Sequence, residues 1–252
     1  MTLRYYAYQL VPLAQRASGS AASPERFGLC APVDGPMTLD TLGVWPETGQ
    51  AVLVKALSDD SSDELDLRAL QWIDMAPAGP RLELLYRGLR VLWKSGRAYV
   101  QGPEALLEPA LDAVLDYALL VHQLAHLEQR ADALGVALLS AQRRAERGRD
   151  VAPLRAQLAE ATELALRVVD LRPFCEVPAR TGQAGPAMRV RTELLTQAQT
   201  ADALGLIEHR LEIVTEGLEN RLQRAQEALR ARLEAGIGVL IILLLIIDLV
   251  WR

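Results

Sequence analysis

Apolar and polar positions follow two different periods along this chain, and the change between them falls near Gly102. In residues 1–102, short runs of apolar, aromatic and β-branched residues are separated by turn residues, a pattern typical of strands. The strands predicted from these runs span 3–13, 27–31, 43–45, 50–57 and the two arms of a hairpin within 90–101. Residues 1–102 are therefore predicted to form a mixed α/β module in which strands dominate.

The residues after 102 have the 3.6-residue spacing of amphipathic helices. Residues 103–171 are predicted to form a helical hairpin whose two helices are separated by Gly148-Arg-Asp150. Residues 172–186 are rich in Pro and Gly, and they are predicted to be a connector. A last helix is expected over 187–234, and its pattern continues without a break into the apolar residues that follow.

The predicted helix at 187–234 carries an apolar stripe with the spacing of a coiled coil. Its first positions recur every three or four residues: Leu204, Ile207, Leu211, Val214 and Leu218. Such a stripe can pack against the hairpin at 103–171 or pair with a second copy of the chain, and both interpretations stay open. We therefore expect a protein partner or a homo-oligomer through this helix.

The stretch 235–251 is almost entirely aliphatic. Twelve of its seventeen residues are Leu, Ile or Val, and Asp248 is its only ionisable residue. Seventeen residues is the lower limit for a helix that spans a bilayer. We therefore predict a single transmembrane anchor with the lipid bilayer as its partner. A core helix of a soluble oligomer is the alternative.

The charges around this stretch predict its orientation. Four arginines precede it: Arg221, Arg224, Arg230 and Arg232. Only Arg252 follows it, and the amino terminus lacks the regions of a signal peptide. By the positive-inside rule, we expect a single-pass protein of the cell membrane with its amino-terminal bulk in the cytoplasm. Asp248 and Arg252 stand at i and i+4 and are the candidate polar contact of the transmembrane helix.

The composition excludes one broad class of partner. The formal net charge is −5 and the pI is about 5.4, so the chain lacks the basic excess that neutralises nucleic-acid phosphates. We predict no nucleic-acid binding. Cys30 and Cys175 do not have the spacing of a metal site or a redox motif, and reduced thiols are expected.

Three motifs raise the question of a ligand site, and none has the complete spacing. His122 and His126 could share one face of a helix, but the glutamate of a zinc-protease motif is missing between them. The acidic run 58–66 lacks the glycine and final glutamate of a calcium loop, so we predict a solvated loop. Arg180-Thr-Gly-Gln-Ala-Gly185 lacks the Lys-Ser/Thr of a phosphate-binding loop. We therefore predict no metal, no cofactor and no catalytic residue.

Several stretches in the last third of the chain resemble a known family. They are Arg172-Pro-Phe-Cys-Glu176, Ile207-Glu-His-Arg-Leu-Glu-Ile-Val214, Glu219-Asn-Arg-Leu222 and Arg232-Leu-Glu234. Together they are similar to the close of the Rmd/YagE-type family, whose members end in a helical hairpin and one membrane span. The resemblance implies a membrane-tethered adaptor without known catalysis, and it carries no functional residue over to this chain.

The sequence thus predicts an α+β protein: a strand-rich amino-terminal module, a long helical hairpin and a final long helix that runs into one transmembrane span. Its expected function is that of a scaffold or adaptor that acts through protein contacts at the membrane, without catalysis. Two alternatives stay open. One is a membrane-bound enzyme or ligand sensor with its site in 1–102, and the other is a small subunit of a membrane complex in which Asp248 contacts a neighbouring helix.

Overall fold

The computed structural model describes residues 5–12, 27–29, 50–56, 63–77, 79–142, 151–176 and 185–251. The strands are β1 (Tyr5–Pro12), β2 (Phe27–Leu29), β3 (Gln50–Ala56), β4 (Leu82–Tyr86), β5 (Leu89–Lys94) and β6 (Arg97–Gly102). The helices are α1 (Asp63–Asp74), α2 (Glu104–Gln142), α3 (Val151–Cys175), α4 (Pro186–Gln197) and α5 (Thr200–Val250). The chain divides into two units, Met1–Gln123 with Phe174–Ala201, and Leu124–Pro173 with Asp202–Arg252.

Within the described residues, six strands of the first unit form one sheet in the order β2-β1-β3-β6-β5-β4. The central pair, β3 and β6, is parallel, and the other neighbouring pairs are antiparallel. Parallel strands need a crossover connection, which here includes α1. The register of the central pair places Leu53 beside Tyr99 and Val54 beside Val100.

Two tight turns join β4, β5 and β6. Arg87 (φ 49°) and Gly88 (φ 80°) form the first turn, and Ser95 (φ 46°) and Gly96 (φ 84°) form the second. Positive φ at both central positions is the conformation of a type I′ turn, whose twist matches that of the strands it joins. The hairpin predicted within 90–101 is confirmed as the antiparallel pair of β5 and β6.

The two faces of the sheet are covered by different helices. Successive strand residues point to opposite faces, so Trp93, Ala98 and Val100 share one face. On that face Trp93 meets Tyr117 of α2 edge to face, with ring centroids 5.1 Å apart. α1 packs against β5 and β6 on the other face. The buried aromatic and aliphatic side chains between these layers form the core of the first unit.

In the second unit, α2, α3 and α5 pack through their apolar stripes. The five stripe residues predicted on the last helix are between 1% and 6% exposed: Leu204, Ile207, Leu211, Val214 and Leu218. Ion pairs link all three helices, with Arg130 of α2 to Glu160 of α3 at 2.8 Å and Arg172 of α3 to Glu208 of α5 at 2.6 Å. The stripe therefore packs within the chain, and a partner would have to contact other positions of this helix.

Several predicted boundaries are wrong. Residues 63–74 form α1, where the acidic run predicts a solvated loop over 58–66, and β4 is a strand that the pattern does not predict. α3 continues to Cys175, four residues into the predicted connector 172–186. The single helix expected from residue 187 is two helices, because the backbone of Gln199 takes the left-handed conformation (φ 50°), which ends helical pairing.

The fold class itself is confirmed as α+β, with a sheet in the amino-terminal part followed by long helices. The strand predicted at 43–45 lies outside the described residues. α5 continues through most of the apolar stretch and ends at Val250. Among the described residues, no helix has both the length and the apolar character needed to cross a membrane.

Candidate functional site

A wholly buried lysine lies at the carboxyl end of β3. The side chain of Lys55 is 0% exposed, and its Nζ lies 2.5 Å from both carboxylate oxygens of Asp66 on α1. The Tyr99 hydroxyl of β6 donates to Oδ1 of the same carboxylate at 2.8 Å. Removing an ammonium from water is costly unless an anion with good geometry replaces the water, and Asp66 is that anion.

The strand register brings Lys55 and Tyr99 to the same face of the sheet. Leu53 lies beside Tyr99 in the parallel pair, and Lys55 is two residues beyond Leu53, so all three side chains point to one side. Asp66 reaches this face from the first turn of α1, which begins at Asp63. The cluster Lys55, Asp66 and Tyr99 thus joins the central strands to the start of α1.

Two more cationic side chains, those of Arg97 and Lys94, contact the carboxyl end of α1. Arg97 is 3% exposed, and its Nη1 donates to the carbonyl of Trp72 at 2.7 Å while its guanidinium lies 5.1 Å from the Trp72 ring. Lys94 Nζ donates to the carbonyl of Asp74 at 2.8 Å. Carbonyls of a last helical turn lack partners within the helix and carry partial negative charge, so cations stabilise them. The sheet therefore binds α1 electrostatically at both ends.

The arrangement around Lys55 limits its chemistry. The Lys55 side chain is fully buried and both oxygens of Asp66 contact its Nζ, so this arrangement does not present the amine to solvent. Asp66 is 24% exposed, so this carboxylate is the member of the cluster that solvent contacts. The geometry fits a structural role, in which the cluster holds α1 against the sheet.

The sequence carries a partial signal for this cluster, although no motif marks it. Lys55 is one of only two lysines in the chain, and it interrupts the apolar strand Ala51-Val-Leu-Val-Lys-Ala56. A charge in such a strand needs a buried partner. The segment 58–66 offers five acidic residues, and only the position of α1 selects Asp66 among them.

The two histidines at i and i+4 both lie on α2. His122 is partly exposed and His126 is exposed on α2. In the part of the chain that the structure describes, no group of three or more His, Cys, Asp or Glu side chains could hold a metal ion. The phosphate-loop candidate at 180–185 lies outside the described residues except for Gly185, which precedes α4.

Cys175, at the end of α3, is buried, and burial raises the pKa of its thiol from 9.0 to about 11. Arg191 opposes this shift and Glu176 adds to it, but both contribute less than burial. The thiolate is the reactive form of cysteine, so this thiol is poorly suited to nucleophilic or redox chemistry. Burial also raises the pKa of the Tyr117 hydroxyl.

The apolar end of α5 exposes its side chains in every direction. From Ile237 to Ile247, each Ile, Leu and Val is between 48% and 64% exposed, whereas Leu218 earlier in the same helix is 1% exposed. The backbone of Asp248 belongs to α5, but its side chain and Arg252 lie outside the described residues. The polar contact predicted for Asp248 and Arg252 therefore stays a prediction.

Comparisons with known proteins give little further information. No family model matches the chain, and no curated protein matches it. Among solved structures, one described as the "structure of the full-length CmaX protein" is similar at 14% sequence identity, covers 95% of this chain and 83% of its own, and has a TM-score of 0.32. A TM-score of this size does not establish a common fold.

Proposed function

We propose that this protein is a single-pass, membrane-anchored scaffold or adaptor, with the lipid bilayer around the apolar end of α5. The observation that carries the proposal is the ring of exposed aliphatic side chains from Ile237 to Ile247. A helix that is apolar on all sides is stable when it is buried in a protein core or in lipid. Within the described residues of the second unit, Leu218 is the last buried residue of α5, and Leu222 and Ala225 beyond it are half-buried.

The energetics of insertion support the same environment. Twelve large aliphatic residues in 235–251 contribute roughly −4 to −7 kcal/mol on an insertion scale, against about +3 for one aspartate at the bilayer centre. Asp248 is near the end of the stretch, where its cost is smaller. Seventeen residues extend for about 25 Å, which is slightly less than a typical hydrocarbon core, so flanking side chains must reach the interfaces.

The arginines before the apolar stretch support an orientation with the folded units in the cytoplasm. Arg224 and Arg230 are exposed on α5, within four turns of the first apolar residues. Basic residues that flank a membrane helix stay preferentially on the cytoplasmic side. The proposed location is therefore the cell membrane, with the sheet and the helical unit on its cytoplasmic side.

The adaptor role is supported by apolar side chains that the chain leaves exposed on α2, α3 and α5. They occur as pairs at helical spacing: Val136 and Leu139, Leu166 and Val169, and Leu206 and Ile213, each more than half exposed. Exposed apolar side chains of this kind are candidate contacts for other proteins, including a second copy of the chain. No nucleic-acid partner is proposed, since the net charge is −5.

The test compares the full-length protein with a form that ends at Glu234. We expect the full-length protein to stay with membranes during extraction at high pH, the shorter form to be soluble, and the same proteins to copurify with both. A matched pair of variants keeps the length constant: Leu243→Arg should weaken membrane association, whereas Leu229→Arg, before the apolar stretch, should not. If the full-length protein and the shorter form are both soluble, the anchor proposal is wrong.

A ligand sensor or enzyme in residues 1–102 is the second candidate, and the partly exposed carboxylate of Asp66 beside the buried Lys55 favours it. A small ligand with a cationic group could compete with Lys55 for this carboxylate. Mass spectrometry of the purified full-length protein under native conditions would detect a bound metal, nucleotide or other small molecule. A ligand that is present in the native protein and absent from Asp66→Asn, when circular dichroism shows that the variant is folded, would favour this second function.

A further inference from the structure

The apolar face of α5 that packs inside the second unit continues beyond its last buried residue, Leu218. Between residues 219 and 234 the large apolar side chains are those of Leu222, Leu229 and Leu233, which we call the distal seam. A helix turns by about 100° per residue, so these three leucines lie within about 40° of one another around the helix axis. They stand on the same side of α5 as Leu218.

The leucines on this face of α5 recur with a period of eleven residues. Two series share this interval: Leu211, Leu222, Leu233 and Leu244, and Leu218, Leu229 and Leu240. Eleven residues make three helical turns of about 3.67 residues each, a repeat that is typical of helices packed side by side with a slight right-handed supercoil. The distal seam therefore has the spacing of a contact between helices.

Burial along this face changes near the end of α2. Leu218 is 1% exposed, whereas Leu233 is 59% exposed. The Arg221 guanidinium donates to the carbonyl of Leu138 in α2, and α2 ends four residues later at Gln142. The first part of the face thus packs against a helix of its own chain, and the distal seam presents the same pattern to solvent.

Charged residues around the distal seam favour a helix over lipid as its partner. Arg224, Glu227 and Arg230 are exposed on the remaining sides of this segment, which is apolar on one side only. From Ile237 to Ile247, in contrast, exposed aliphatic side chains surround the helix, as contact with lipid requires. A single apolar seam between charged sides is the pattern of a coiled-coil helix.

We propose that the distal seam packs against the distal seam of a second copy of this chain, with the two α5 helices parallel and in register. The direction rests on the proposed function, because two copies anchored by the same segment enter the bilayer in the same direction. In this arrangement each leucine meets its counterpart at the same height, so the seam is complementary to itself. Both copies use the same surface, as closed dimers do.

Cysteine cross-linking of the full-length protein in membranes tests this pairing. Single cysteines are introduced in the seam by Leu229→Cys or Leu233→Cys. The matched controls are Glu227→Cys and Ala231→Cys, at exposed positions on the opposite side of α5. After oxidation, we expect at least about threefold more covalent dimer at each seam position than at either control, because a disulfide needs Cα atoms within about 7 Å of each other.

A charge in the seam distinguishes specific pairing from random collision. All variants also carry Cys30→Ser and Cys175→Ala, so the introduced cysteine is the only thiol. Leu233→Glu added to Leu229→Cys should reduce the dimer to the control level, since two carboxylates would then meet in the seam. Ala231→Glu added to Leu229→Cys should leave the dimer unchanged. Circular dichroism checks that each variant is folded.

Equal cross-linking at all four positions, or no dimer at Leu229→Cys and Leu233→Cys, would overturn the proposal. A cross-link from the seam to a different protein in place of a dimer would overturn it as well. Extraction of the same membranes at high pH tests the anchor separately. A protein that is released and still forms the seam dimer supports the pairing and contradicts the anchor, whereas a retained protein without the dimer supports the anchor and contradicts the pairing.

Discussion

Gly217 of α5 lies so close to Leu138 of α2 that a Cβ atom at position 217 would come within 2.8 Å of Leu138 Cδ2. One turn further along α5, the Arg221 guanidinium donates to the Leu138 carbonyl. A side chain at position 217 therefore fits only if the Leu138 side chain moves, which offsets part of the cost of a glycine in a helix interior.

Replacing Gly217 by leucine should destabilise the second unit. The added side chain must displace Leu138, and overpacking of this kind costs about 1–3 kcal/mol. Gly205→Ala on the same helix is the matched control: no atom lies within 4 Å of its Cβ position, so it should stabilise the protein by about 0.5–1 kcal/mol. Denaturant unfolding of both variants checks the pair. Equal midpoints for Gly217→Leu and the unmodified protein would show that these helices are not in close contact.

The ion pair of Lys55 and Asp66 should be important for the stability of the first unit. Asp66→Asn leaves a fully buried ammonium opposite a neutral amide, and losing one partner of a buried pair costs about 3–5 kcal/mol. Asp66 is partly exposed, so we expect the lower end of this range. The surface pair of Arg81 and Asp74, 37% and 55% exposed, is the control, and Arg81→Ala should cost less than about 1 kcal/mol.

A double variant separates the charge from the packing. Lys55→Met with Asp66→Leu removes both charges and keeps apolar volume at both positions, so it should recover most of the stability that Asp66→Asn loses. The measurement is the denaturant midpoint at constant slope. If the double variant is less stable than Asp66→Asn, the ion pair contributes through its hydrogen bonds rather than through charge neutralisation.

The periodic parts of the fold were predictable because the signal is local. The stripe from Leu204 to Leu218 repeats every three or four residues, and all five of its members are buried. The type I′ turn at Ser95-Gly96 lies between two runs rich in apolar and aromatic residues, so its hairpin is also visible in the sequence. In both cases, residues close in sequence determine the structure.

The features that the sequence did not predict depend on contacts between distant residues. The end of α4 looks like continuous helix in the sequence, but Gln197 bonds to Glu83, 114 positions away, and the chain turns at Gln199. α1 begins within an acidic run whose charges suggest a loop, and it is held by Lys55 and Arg97 of the sheet. Such partners are known only once the strand order is known.

The buried thiol of Cys175 should make stability depend on alkaline pH. Because its pKa is raised from 9.0 to about 11, the folded protein holds this proton more tightly than the unfolded chain does. Its contribution is complete below pH 9.0 and is lost as the pH rises to about 11. Melting temperatures of the unmodified protein should therefore fall more steeply over this range than those of Cys175→Ala. Parallel curves would show that the thiol ionises equally in both states.

Variants at the neighbouring residues Arg210 and Leu211 of α5 test whether ion pairs or apolar packing contributes more to the stability of the second unit. Arg210 Nη1 contacts Glu128 at 3.1 Å and Asp132 at 3.0 Å on α2, but its side chain is 46% exposed and salt screens it. We expect Arg210→Ala to cost less than about 1 kcal/mol and the loss to disappear at high salt.

Leu211 is 2% exposed, and Leu211→Ala should cost about 2–5 kcal/mol at any salt concentration, because it leaves a cavity in the stripe. Denaturant unfolding of both variants at low and high salt separates the contribution of the ion pairs from that of apolar packing. A larger loss of stability from Arg210→Ala than from Leu211→Ala would mean that ion pairs, not the apolar stripe, hold α5 against α2.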